Sequence, residues 1–153
     1  MITIQRYNAS DSDSVDQLFL ELQKHENQYD KLKSTKLQNA IKYKKELLET
    51  INDQHGEMLV AKDNDEVLGL VAWFLEEELE FDEPYGYISD IVVFEQQRGE
   101  GIGQQLLDEA ITHIKATGVK RLHIGVLLSN SQTKEFYTKN GFVEYSVEMT
   151  KLL

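Results

Sequence analysis

The chain has 153 residues, with 16 Lys and Arg against 27 Asp and Glu, a formal net charge of −11 and no cysteine. That length suits one domain with a real hydrophobic core. The missing cysteine excludes disulfides, thiolate metal sites and a cysteine nucleophile, and the acidity disfavours nucleic acid or an anionic membrane as a main partner. No apolar run approaches the ~20 residues of a bilayer span, and Met1 to Arg6 contains no signal-peptide core. The expectation is a cytoplasmic protein folded as a single domain over residues 1–153. Its charge is uneven: residues 1–55 carry a net −1, residues 56–97 carry −11 and residues 98–153 carry +1.

Ile2 and Ile4 alternate with polar neighbours, as in a short half-buried strand. Asn8 to Ser14 resembles a turn, with Asp11 or Ser12 as helix N-cap. Val15, Leu18, Phe19 and Leu22 then recur at helical spacing, and Leu37, Ile41, Leu48 and Ile51 predict the face of a second helix. Polar residues 26–35 predict a loop between the two. Met58 to Ala61 and the nearly continuous apolar run Val67 to Leu75 flank a tight turn at Asp63 to Glu66, which predicts a hairpin with a central second strand. An acidic connection, Glu76 to Pro84, leads to a strand from Tyr85 to Phe94. Ile102, Leu106, Leu107, Ala110, Ile111 and Ile114 predict an amphipathic helix that Gly118 ends. A strand over Arg121 to Val126, a short helix over Ser131 to Lys139 and an extended segment from Phe142 to Leu152 complete the chain. The helix between the strands at 85–94 and 121–126 makes those two parallel neighbours, so the sheet is mixed.

The turn Arg98-Gly99-Glu100-Gly101-Ile102-Gly103 lies between a strand and that amphipathic helix. A helix start leaves amides without intrahelical partners and carries a positive partial charge. Glycines allow close approach to the backbone, and Arg98 adds a forked cation, which together make a cradle for phosphate or pyrophosphate. The spacing is neither that of a dinucleotide fingerprint, because the third glycine comes one residue early, nor that of a P-loop, because Gln104 and Gln105 follow Gly103.

Arg98-x-x-Gly101-x-Gly103 resembles the Q/R-x-x-G-x-G/A signature of the GNAT superfamily of N-acetyltransferases. Ile88 to Val93 looks like that family's fourth strand, and Asn130 to Phe142 is similar to its N-x-x-A-x-x-F-Y-x-x-x-G-F segment, with Thr133 in place of the frequent alanine. The resemblance implies a mixed α+β fold, with a mostly antiparallel sheet of six or seven strands and about four helices. It implies acetyl-CoA as cosubstrate, no metal, and direct attack of an amine on the thioester in a ternary complex. By the same likeness the amides of Gly99, Glu100, Gly101, Ile102 and Gly103, with Arg98, hold the pyrophosphate. Backbone groups of Ile91 and Val93 pair with the pantetheine arm, Asn130 bonds the cofactor, and Tyr137 protonates the departing thiolate. Homodimers are common in the family, and the C-terminal segment is suited to pairing across subunits.

Asp90 is an isolated charge within an apolar strand, and this makes it a candidate base, acting directly or through water. Glu78 and Glu80 are the alternatives. Six carboxylates between Glu76 and Glu83 read either as a solvated loop or as a funnel for a cationic acceptor, with Glu78, Glu80 and Tyr85 as substrate contacts. A polyamine or similar small cationic amine is the first expected acceptor and a peptide or protein amine the second. A non-catalytic acyl-CoA sensor is the reading from a different class. The four histidines form no ligand spacing.

Overall fold

The computed structural model describes residues 1–153. Five strands form one sheet in the order β1-β2-β3-β4-β5: β1 Ile2–Arg6, β2 Glu57–Asp63, β3 Glu66–Glu76, β4 Tyr85–Val93 and β5 Leu122–Ile124. The first three pairings are antiparallel and β4–β5 is parallel. Four helices cover the two faces: α1 Ser12–Asn27, α2 Leu37–Asp53, α3 Ile102–Ala116 and α4 Ser131–Lys139.

The sheet separates two apolar layers. On one side Val15, Leu18 and Phe19 of α1 and Ala40, Leu47 and Ile51 of α2 pack on Val60, Leu70, Ala72 and Val92. On the other, Ile102, Leu106, Leu107, Ala110 and Ile114 of α3 pack on Leu59, Ala61, Val71 and Ile88. β3 is buried on both faces, as its continuous apolar run predicts.

Several expectations shift. The buried row of α2 is Ala40, Lys44, Leu47 and Ile51. Leu37 and Ile41 are 41% and 44% exposed. The sequence pattern misplaces this face because Lys44 sits in the buried row, its ammonium on Asp16 of α1 (2.6 Å) and on the Ser12 hydroxyl (2.6 Å). Asp11 takes the N-cap position of α1, as expected, but makes no cap bond with its side chain. Its side chain accepts from the Asn8 amide (3.1 Å) and pairs with Lys62 of β2. The sheet has five strands where six or seven were expected. β5 spans only three residues, and residues 142–153 form no strand ladder. Along that tail Val143, Tyr145, Val147 and Met149 are all exposed, Met149 at 90%.

Candidate active site

β4 carries the centre of the site, and an irregularity in it decides which side chains meet. Ala72 pairs with Asp90 while the next β3 residue, Trp73, pairs with Ile88, so Ser89 is an extra residue on β4. Such a bulge breaks the two-residue alternation. Tyr87 before it and Val92 after it therefore face α1 and α2, while Ile88, Ile91 and Val93 face α3. Asp90 falls on the α1/α2 face, where the hydroxyl of Tyr43 from α2 donates to its Oδ2 (2.7 Å).

Asp90 is 9% exposed, and burial lifts its carboxyl to about 6. The hydrogen bond from Tyr43 and the adjoining Ser89 hydroxyl pull it down, the charge of Glu26 raises it and the ammonium of Lys33 lowers it. Glu26 ends α1 and holds Lys33 from the loop that follows (3.1 Å). Tyr137 of α4 is 8% exposed, and its hydroxyl bonds to nothing in the chain. Burial first, and then the charges of Asp90 and Glu26, push its phenol well above the usual tyrosine range. Asp90 and Tyr137, both picked out from sequence, thus share one electrostatic neighbourhood. Tyr43, Glu26 and Lys33, which belong to it, were not picked out. Tyr43 is one of five polar or charged residues between Lys42 and Glu46, and no periodicity marks it.

The glycine turn begins just past the C-terminal end of β4. Gly99 and Gly101 adopt φ of +88° and +78°, a region that only glycine enters at little cost. Gly101 is the residue before the first turn of α3. The amides of residues 99–104 donate to no other backbone group; the next one along, Gln105, donates to Gly101 (3.1 Å). A row of free donors at a helix start fits a pyrophosphate. Ile102 opens the helix with its side chain in the core, so it offers only its amide, while Glu100 is exposed. Arg98 donates from Nε to the Val93 carbonyl (3.1 Å) and so lies across the base of the turn.

β4 and β5 pair only from Gly86 to Ile88, and beyond Ile88 the strands part. Phe94 donates to Leu68 of β3 (3.0 Å). By strand alternation the polar groups of Ile91 and Val93 then point the other way, into the gap. The Val93 carbonyl, bonded by Arg98, confirms that direction. This open edge suits an extended amide-bearing arm. Asn130 is buried, and its Oδ1 caps α4 by accepting from the Thr133 amide (3.3 Å), an interaction within the chain that the sequence reading did not anticipate.

The acidic connection lies at the other end of β4. Tyr85 donates to Glu78, and its ring stacks on His123 of β5 with centroids 4.2 Å apart. Glu80 is exposed and makes no bond within the chain. Tyr85 is itself buried. Glu76 is raised by burial and by the charge of Glu78, and the charges of Asp90, Glu76 and Glu148 all reach Tyr87. The Gly125 position is so close to the Tyr87 hydroxyl that a Cβ there would come within 3.3 Å of it. The arrangement has a donor-rich turn at one end of a strand, an open backbone edge beside it and a buried carboxylate with tyrosines at the middle. Carboxylates gather at the far end.

The model of the acetyltransferase (GNAT) family matches residues 18–142. The chain is 25% identical over 150 residues to an aminoalkylphosphonate N-acetyltransferase of Salmonella typhimurium, covering 98% of this chain and 90% of that protein. It is 30% identical over 64 residues to glucosamine 6-phosphate N-acetyltransferase 1 of Oryza sativa subsp. japonica, covering 42% of this chain and 37% of that one. A solved structure from Pyrococcus furiosus superposes with a TM-score of 0.78 at 24% identity over 100% of both chains.

Proposed function

The chain belongs to the acetyltransferase (GNAT) family and is an N-acetyltransferase, and on that premise we propose that it transfers the acetyl group of acetyl-CoA to a small cationic amine such as a polyamine, by direct attack in a ternary complex. The observation that carries this reading is the position of Asp90, a buried carboxylate with a raised proton affinity in the middle of β4, between the free amides of the glycine turn and the acidic connection. Acetyl-CoA supplies an activated thioester carbonyl. The amides of Gly99 to Gly103 and the Arg98 guanidinium hold its pyrophosphate, and the open edge at Ile91 and Val93, with Asn130, takes its arm. The ammonium gives a proton to Asp90, directly or through water. The N–C bond forms as the C–S bond breaks, Tyr137 gives its proton to the departing sulfur, and the second proton shed by the new amide nitrogen restores the phenol through water. A phenol whose pKa is raised stays protonated through the whole working range, as a proton donor must.

A second acceptor class is favoured by Lys33, a cation whose charge reaches Asp90. An amine that also bears an acid group, as the name of the Salmonella relative implies for that enzyme, would place its anion on Lys33 and its ammonium among the carboxylates. The test is a panel of spermidine, 2-aminoethylphosphonate, aminoglycosides and lysine peptides with acetyl-CoA, followed by CoA release. Release with spermidine supports the first class, and release with the phosphonate alone supports the second. No release with any of them, despite tight CoA binding, makes the chain a sensor. Tyr137→Phe should keep acetyl-CoA affinity and lose turnover by about 10²–10⁴-fold; equal turnover would remove the tyrosine from the mechanism.

The reading also includes a cytoplasmic homodimer joined through the tail. It is supported by the alternating apolar residues Val143, Tyr145, Val147 and Met149, all exposed, and by a tail backbone without ladder bonds. Met149→Glu with Val147→Glu should convert a dimer to a monomer in sedimentation, and an unchanged mass would exclude the tail as the contact.

A further inference from the structure

Tyr43 is absent from the mechanism above, yet its hydroxyl is the group bonded to the Asp90 side chain at 2.7 Å. α2 brings it there from the opposite side of the cleft from β4. Its ring is held edge-on against Phe19 of α1, with centroids 5.2 Å apart and planes at 79°. Phe19 is fully buried, so the phenol has one fixed neighbour and one fixed bond. The bulge at Ser89 supplies the other half of the contact by turning Asp90 to the face that α2 covers.

We propose that Tyr43 is a positioning residue for acetyl transfer, its hydroxyl fixing the Asp90 carboxylate in the orientation and the ionised form that can accept a proton from the amine. This rests on the reading of Asp90 as the base. A buried carboxylate with no donor prefers to be neutral, and a neutral carboxyl accepts no proton. A donating hydroxyl favours the charged form. Every charged or titratable group facing Asp90 enters this balance. Tyr43 donates to it, the adjoining Ser89 hydroxyl, which itself donates to the Ala72 carbonyl (3.3 Å), lowers its proton affinity, and Lys33 in the loop after α1 favours its charge. Glu26 of α1 opposes that charge, and Tyr87 of β4 and Tyr137 of α4 are neutral neighbours that feel it. Burial outweighs the donors, so removing the strongest of them raises Asp90 further. The base then loses its charge closer to neutral pH.

The experiment needs no knowledge of the acceptor. The Asp90 carboxyl carbon is followed by NMR against pH in the free protein and is assigned by its loss in Asp90→Asn. In the wild type it should titrate near 6. In Tyr43→Phe, which keeps the ring against Phe19, the midpoint should rise by about one pH unit. An unchanged midpoint overturns the proposal. If Tyr43→Phe does not fold, the Cζ of Tyr43 in the wild type answers the same question. It should shift with the Asp90 midpoint, and a flat Cζ overturns the proposal. Acetyl-CoA turnover with spermidine or 2-aminoethylphosphonate then separates the two levels. Activity in Tyr43→Phe should be lost at the acidic end by about tenfold, with acetyl-CoA affinity unchanged. If Asp90→Asn turns over at the wild-type rate, the base reading falls, even with the Tyr43 titration intact. If Asp90→Asn is inactive and Tyr43→Phe keeps the wild-type pH profile, only the role of Tyr43 falls.

Discussion

Asp90 stores the main conflict of the molecule at the scale of a single residue. Its carboxyl sits near 6 when folded and near 3.8 when the chain is unfolded. A raised acid favours the folded state below its unfolded value and loses that contribution as pH climbs through the folded one. Between about pH 4 and 6 the fold therefore loses stability, by up to about 3 kcal/mol. Asp90→Asn should raise the melting temperature at pH 8 and change it little at pH 4; thermal melts at the two values check this, and equal shifts would contradict it. If Asp90 is the base as proposed, activity should fall as pH drops through about 6, and rates measured across that range check it. The sequence made Asp90 conspicuous, because a lone charge inside an apolar strand is easy to see. It gave no sign of Tyr43, because the contact depends on a bulge and on the true buried row of α2, which a buried lysine disguises.

Among the elements, the glycine turn separates backbone need from ligand need. Gly101 has φ of +78°, so Gly101→Ala should strain the turn by roughly 1–2 kcal/mol and weaken acetyl-CoA binding about tenfold or more. Gly103 is helical, and an added Cβ would meet only Val93 Cγ2 at 3.9 Å, so Gly103→Ala should fold and bind nearly as the wild type. Calorimetric titration of both variants distinguishes the positions, and equal losses would mean that the cofactor approaches Gly103 directly. The turn, α3 and the hairpin were legible because each rests on a local rule: glycine conformations, a 3.6-residue stripe and a short polar turn. The C-terminal segment was legible only in its alternation. Pairing is a tertiary event, and residues 142–153 find no ladder partner within the chain.

Over the whole molecule the charge has a direction. The free amides and Arg98 stand at one end of β4, while Glu76 and Glu78 stand at the other and Glu26 at the end of α1. Such a field draws a cation to one end and leaves the other to an anion. Replacing Glu76, Glu77, Glu78 and Glu80 by glutamine should raise the KM for a cationic acceptor several-fold, flatten its salt dependence and leave acetyl-CoA affinity alone. Initial rates at two ionic strengths test this, and unchanged kinetics would reduce the acidic run to a solvated loop.

The extra residue at Ser89 bears on how much change β4 tolerates around its carboxylate. The sheet, both apolar layers and the glycine turn do not depend on the base. The proposed base stands next to the inserted position. Removing Ser89 would let Ile88 and Asp90 alternate directly, with Asp90 still opposite Ala72 on the face that Tyr87 shares, while the glycine turn stayed in place. The carboxylate thus keeps its side of the sheet through the loss of that residue, and what changes is the local bend of β4 and the Ser89 hydroxyl beside the carboxylate. A change at that position therefore adjusts the surroundings of Asp90 without turning it away from α2.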